Sequence, residues 1–452
     1  MALLLTFYGD DFTGSTDALE QLTLAGVRAA LFIAPPTKQQ LSRFKNLQAV
    51  GIAGKTRSLT PEAMKRELVP AFQALKKLGA RHVHYKVCST FDSSPETGSI
   101  GCVMDLAGKI FPASFIPLLV AAPALGRYTI FGNHYARFGI GSAGEIYRLD
   151  RHPSISKHPV TPMTEADLQM HLAKQTKKKV ALFDVLKISR PEKEMRVAFK
   201  KLLAEKPDVI LFDAVDEGHL KKIGDLIDGF ADGKRSLFSV GSSGIEMALT
   251  ACRRSSRGDE APFKKSKINK SFRTSTATNV LIGSGSCSPV TSAQIARALK
   301  SGFAEVAIDA GKLLTQDAII ETQRAANSAV EFLRSGRSVI VHTTKSGSDK
   351  RLASKLKGQT AAVLGTVLGT VLRGALLQTK VQRLCVAGGD TSSFAARALG
   401  IEALEMIAPL TPGAPLCRAF APGSPADKLE VVFKGGQVGA ENYFETVLRG
   451  KL

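Results

Sequence analysis

Tryptophan is absent from the 452 residues, tyrosine occurs only six times, and the cysteines form no C-x-x-C pair. Each shortage removes a class of function. The six cysteines, at 88, 102, 252, 287, 385 and 417, have no zinc-ligand spacing and do not suggest the disulfide framework of a small secreted domain. They read as free, mostly buried thiols. No apolar run approaches the roughly 20 residues that span a bilayer. The longest apolar region, 110–125, is interrupted by Pro112, Pro117 and Pro123. The opening Met1-Ala2-Leu3-Leu4-Leu5 lacks a basic leader and reads as a first strand, so the expected location is the cytoplasm, without a membrane partner.

Acidic residues are also in deficit: 61 Lys and Arg face 40 Asp and Glu, a formal net charge of +21. Such a balance raises nucleic acid as a partner. The excess is concentrated in 174–179, 187–201 and 253–273, which lack the regular interleaving of aromatics that single-strand binders use. No helix-turn-helix, zinc-finger or RNA-recognition signature is present. The basic surface therefore reads as solvated, with a share in steering anionic substrates, and no nucleic-acid partner is expected. Self-association into a homo-oligomer stays open.

At this length two or three domains are expected. Apolar runs of strand length alternate with amphipathic helical runs, which predicts an α/β protein of two domains, each a largely parallel sheet flanked by helices, with the active site in the cleft between them. Strands are expected at 3–8, 28–33, 82–87, 179–183, 209–212 and 237–240, and again at 279–282, 339–342 and 383–387. Helices are expected at 14–25 and 61–78, the latter with Thr60 as N-cap and Gly79 as its stop. The stretch 253–274 is a basic linker or excursion, dividing a substrate domain, 1–252, from a nucleotide domain, 275–452. Residues 409–425, rich in Pro and Gly, predict a long loop. The duplicated small residues of 360–372 predict a helix face.

Ligands of open α/β sheets bind at the carboxyl ends of strands, and three kinds of motif sit there. Tyr8-Gly9-Asp10-Asp11-Phe12-Thr13-Gly14 places two acids after the first strand. One Asp is explained as a helix cap; adjacent acids call for a hydroxyl, a cation or a metal. A haloacid-dehalogenase phosphatase would need its second Asp where Phe12 stands. Next come Lys55-Thr56-Arg57-Ser58 and Lys86-Val87-Cys88-Ser89-Thr90, joined by Arg127 and His158 in later loops. Lys86, Arg57 and Arg127 together suit a small carboxylate. Finally, three Gly-bearing junctions occur in the second half: 283–289, 387–392 and 433–439. None is a P-loop, since no Gly-Lys-Ser/Thr closes it, yet three such loops favour nucleotide phosphates. Asp390 is an N-cap or a Mg²⁺ ligand.

As a set, these motifs resemble the four-carbon acid sugar kinase family over nearly the whole chain. Gly9–Gly14, Lys55–Ser58 and Lys86 with Cys88–Ser93 carry the likeness, and the last, with His158–Thr164, is closest to the branch typified by 3-oxo-tetronate kinases. The resemblance implies ATP and Mg²⁺, with a small anionic sugar acid as substrate phosphorylated on its terminal (4-) hydroxyl. It implies ATP contacts at Ser286, Gly388, Gly389, Asp390, Thr391 and Gly436. Asp10, Asp11 and Lys86 are then the catalytic candidates, and Arg57, Ser89, Thr90, Arg127 and His158 the substrate-binding ones. The chain departs from the family at Asp390, where Glu is usual, at Gln437-Val438 for Asn-Phe, at Ser99 for Asn, and at Leu416 for Trp. Alternatives are a threonate or erythronate kinase of the same family, a phosphatase or ligase of similar acids, and a non-catalytic binder.

Overall fold

A computed structural model describes residues 3–138, 144–157, 161–231, 235–255, 277–343 and 360–450. They form two compact units, one of residues 3–30, 34–138, 144–157, 161–231 and 235–255, the other of 31–33, 277–343 and 360–450. No described helix is long and apolar enough to cross a membrane.

The strands met first are β1 (Leu5–Gly9), β2 (Ala29–Phe32), β3 (Ala49–Ala53), β4 (His82–Lys86) and β5 (Ile116–Leu119). They are followed by β6 (Arg127–Ile130), β7 (Asn133–Arg137), β8 (Ile146–Arg148), β9 (Val180–Phe183), β10 (Val209–Phe212) and β11 (Leu237–Gly241). Seven of them lie in the order β3-β1-β4-β11-β5-β10-β9, every pairing parallel. All five residues of β1, β3, β4 and β11 are buried, as expected of a parallel sheet covered on both faces. β6, β7 and β8 make a separate antiparallel sheet.

The helix Pro61–Lys77 shows how sequence becomes packing. Thr60 caps it by accepting from the Ala63 N–H. Met64, Leu68, Phe72 and Leu75 recur at helical spacing and are fully buried in one core cluster with Tyr8, Tyr85 and Phe238. The Phe72 ring lies within 5.4–6.4 Å of the rings of Tyr8, Tyr85, Phe111 and Phe238.

The second unit holds β12 (Val280–Ser284), β13 (Ala304–Ala307), β14 (Val339–His342), β15 (Arg383–Ala387), β16 (Ala403–Thr411), β17 (Ala414–Phe420) and β18 (Glu430–Lys434). Their order is β13-β14-β12-β15-β18-β17-β16, parallel through β18 and antiparallel beyond it. One expectation fails here. Residues 409–425 are not one long loop: β16 and β17 run through Pro409 and Pro415 and turn at Gly413, whose φ is +80°. The ladder tolerates its prolines through register shifts between Met406 and Ala408 and between Ala408 and Thr411. After β18 the glycine-bearing loop leads to the helix Tyr443–Arg449. The small residues of 360–372 do lie on a helix, Thr360–Gln378. A Cβ added at Gly365 or Gly369 would come 2.8 Å from the Phe394 Cβ or 2.7 Å from the Ala398 Cβ, so the glycines let this helix approach the helix Gly389–Ala398. Of the expected basic excursion, Arg253–Ser255 end the helix Gly244–Ser255, and residues 256–276 lie outside the described residues.

Candidate active site

Asp11 is the N-cap of the helix Phe12–Leu24. Its Oδ1 accepts from the Gly14 N–H at 2.6 Å, and its Oδ2 accepts from the Thr13 hydroxyl at 3.1 Å and pairs with Arg57 Nη1 at 2.6 Å. Both oxygens are thus occupied by the protein itself. Asp10 differs. Its Oδ2 accepts from the Cys88 N–H at 3.1 Å, but its buried Oδ1 has no hydrogen-bond partner among the described residues. Burial, then the charge of Asp11, pushes Asp10 up to about 7, against the pull of Arg57 and Lys86. The backbone holds it firmly: Asp10 N–H donates to the Lys86 carbonyl, and Arg57 N–H donates to the Asp10 carbonyl.

Lys86 ends β4 beside it, 1% exposed. Its ammonium donates to the Val87 carbonyl at 3.0 Å and lies 3.5 Å from Asp17 Oδ2. Burial alone would lower its pKa, but Asp17, Asp10, Glu246 and Asp11 outweigh burial and raise it. Glu246, fully buried, is pushed by burial up to about 8, and neither carboxyl oxygen has a hydrogen bond among the described residues. The nearest His84 nitrogen is 3.7 Å away, on a ring that burial, with the Lys86 charge, draws down to about 3. Two acid–base pairs lie close together here, Asp11 with Arg57 and Asp17 with Lys86.

The loop after β4 ties this cluster to a third cation. Arg127, the first residue of β6 and 5% exposed, donates Nε–H to the Ser89 hydroxyl at 3.3 Å and Nη1–H to the carbonyls of Leu125, Gly126 and Arg137. No carboxylate among the described residues pairs with it. A guanidinium stays protonated in a protein, so this buried charge is open to an anion. Thr90 donates to Asp92 at 2.8 Å, within the loop. Phe91, at φ +57°, supplies the backbone reversal, a rare conformation for a bulky residue. Burial pushes the Cys88 thiol up to about 12, so it is no thiolate nucleophile. Of the expected first-unit residues the structure gathers Asp10, Asp11, Arg57, Lys86, Ser89, Thr90 and Arg127; His158 lies outside the described residues.

In the second unit the three Gly junctions leave the adjacent strands β12, β15 and β18 at the same edge. Gly388, at φ +122°, opens the helix Gly389–Ala398, with Asp390 and Thr391 in its first turn. A Cβ on Gly285 would meet the Thr391 hydroxyl at 2.5 Å, and one on Gly436 the Ser286 hydroxyl at 2.7 Å. All six expected nucleotide contacts thus share one locality. The third junction stays a loop because other residues satisfy its carbonyls: Thr291 donates to Gly436, and Gln294 to Val438, Gly439 and Ala440. Among the described residues no group of three or more His, Cys, Asp or Glu gathers to hold a metal. A Mg²⁺ bound here would take one carboxylate, Asp390, plus phosphate and water oxygens, which is its usual habit.

Sequence reasoning missed Asp17, His84 and Glu246, whose relevance comes from burial around Lys86. The turn at Gly241–Gly244, which precedes Glu246, is tied to the end of β5: the Ser242 hydroxyl donates to the Val120 carbonyl and accepts from the Gly244 N–H.

The chain matches the model of a sugar-binding N-terminal domain over residues 5–249 and that of a nucleotide-binding C-terminal domain over residues 281–444. It is 40% identical to a 3-oxo-isoapionate kinase of Paraburkholderia graminis, with 100% of this chain and 95% of that one covered. It is 27% identical to a 3-oxo-tetronate kinase of Pseudomonas savastanoi pv. phaseolicola, with 99% and 97% covered. A solved structure from Salmonella typhimurium LT2 shares the fold at TM-score 0.75 and 23% identity, covering 99% of both chains.

Proposed function

Because the chain belongs to the four-carbon acid sugar kinase family, we propose that it transfers the γ-phosphate of ATP to the terminal (4-) hydroxyl of a sugar acid of the 3-oxo-tetronate type. That it is an ATP-dependent kinase follows from its relatives; the acceptor and the residue roles are our reading. The observation that carries them is the contrast between the two acids after β1. Asp11 has both oxygens engaged, while Asp10 keeps a buried oxygen without a partner and a pKa near neutrality. Asp10 is therefore the group that accepts the proton of the attacking hydroxyl, and Asp11 fixes Arg57.

Arg127 receives the substrate carboxylate, since it is the buried cation here that lacks a carboxylate of its own, and Ser89 orients its guanidinium. Lys86 neutralises charge as the phosphoryl group moves. In the second unit Ser286, Gly388–Thr391 and Gly436 seat the nucleotide, and Mg²⁺ on Asp390 would neutralise its phosphates. Phosphoryl transfer asks mainly for alignment and charge neutralisation, which this set supplies.

The acceptor is tested by incubating the protein with ATP and a panel of 3-oxo-tetronates, 3-oxo-isoapionate, threonate and erythronate. We expect ADP and a phosphorylated 3-oxo acid in equal amounts. Release of free phosphate without a phosphorylated acid would favour a phosphatase and sink the proposal. Preference for 3-oxo-isoapionate would move the acceptor toward that of the Paraburkholderia relative.

A further inference from the structure

Lys434, the last residue of β18, is fully buried. Its ammonium donates to the Thr291 hydroxyl at 3.0 Å and sits 5.5 Å from the centroid of the Tyr443 ring. No carboxylate among the described residues pairs with it. An ammonium held in the interior without an anion is costly. Thr291 passes its own proton to the Gly436 carbonyl at 2.8 Å. It is the third residue of the helix Pro289–Lys300, whose first N–H groups have no acceptor within the helix. Ser288 stands at the cap position, yet makes no side-chain cap bond, and its buried hydroxyl has no partner among the described residues. A buried cation, an uncapped helix start and an unpartnered hydroxyl meet at one place, each suited to an anion.

We propose that Lys434 is the protein's counter-charge to the polyphosphate of the bound nucleotide, seated at the start of the helix Pro289–Lys300. The inference rests on the nucleotide reading of the second unit. Because the ammonium lies behind Thr291, Lys434 is a positioning residue: it holds the Thr291–Gly436 contact and acts on the phosphates through a short, water-poor path, where charge is weakly screened.

The test is a titration of the full chain with adenosine, AMP and ADP, for the wild type and for Lys434→Met. Loss of the counter-charge should weaken ADP by about 30-fold or more, AMP less, and adenosine hardly at all. A merely structural lysine would weaken all three alike, and that result, or an unchanged ADP affinity, would overturn the proposal. If the wild type binds none of the three, the nucleotide reading itself fails, which is a separate outcome.

Should Lys434→Met not fold, the wild type still decides. Burial draws Lys434 down to about 8; the titratable groups facing it are the Cys385 thiol, held up at about 12, and Tyr443. Phosphate favours the ammonium, so ADP affinity should fall as pH rises from about 7 to 9, while adenosine affinity holds. Parallel profiles for the two ligands would count against the assignment.

Discussion

At the scale of single residues, two neighbours of the same type have different fates because of where their oxygens point. Asp10→Asn should lower kcat by about 10²–10⁴-fold with little change in KM, the usual share of a general base. Asp11→Ala should instead cost about 1–2 kcal/mol of stability through loss of the helix cap, seen as a lower denaturation midpoint, with Arg57 losing this carboxylate. Equal kcat losses without a stability difference would mean the roles are misassigned. With Asp10 near 7, its base form grows as pH rises, so kcat/KM should climb from pH 6 to 8 with a midpoint near 7, and Asp10→Asn should remove that rise. The sequence could offer both acids but not choose between them, because the choice depends on Gly14, Thr13 and Arg57 filling Asp11. Glu246 was illegible for a related reason: nothing in Gly-Ile-Glu-Met tells that its carboxyl is enclosed beside Lys86.

At the scale of elements, alternation and capping were readable where the local signal and the burial agree. Val209–Phe212, Val339–His342 and Arg383–Ala387 form at the expected residues, and Thr60 caps its helix. The hairpin of β16 and β17 was hidden because Pro409 and Pro415 normally exclude a strand, and only its register shifts accommodate them. The packing of Phe72 permits a direct check. Phe72→Ala removes the ring that four other aromatic rings surround, and should cost about 3–5 kcal/mol, measured by chemical denaturation. Gly369→Val tests the helix pair of the second unit. Its side chain has no room against Ala395 and Ala398, so about 1–3 kcal/mol should be lost. Since the partner helix carries Gly389, Asp390 and Thr391, the KM for ATP should rise as well, while that for the acid stays.

At the scale of the whole molecule, the excess of 61 basic over 40 acidic side chains favours two anionic ligands at once. The kcat/KM for the acid should therefore drop as salt is raised through the range where the screening length shortens from about 30 to 8 Å. Charge and composition carry the expectation of such a long-range effect, but not the local compensation that sets Arg127 apart from Arg57 and Lys86.

The enclosed carboxyl of Glu246 gives the molecule one more property. Folded, it holds its proton up to about pH 8, whereas in an unfolded chain it ionises near 4.5. The folded state then binds more protons than the unfolded one between those values, so this group makes stability decline as pH climbs through that window. Through this group, melting at neutral pH discharges hydrogen ions into the solvent. The calorimetric heat of denaturation will accordingly depend on which buffer receives them, differing between phosphate and Tris, and Glu246→Gln should shrink that difference.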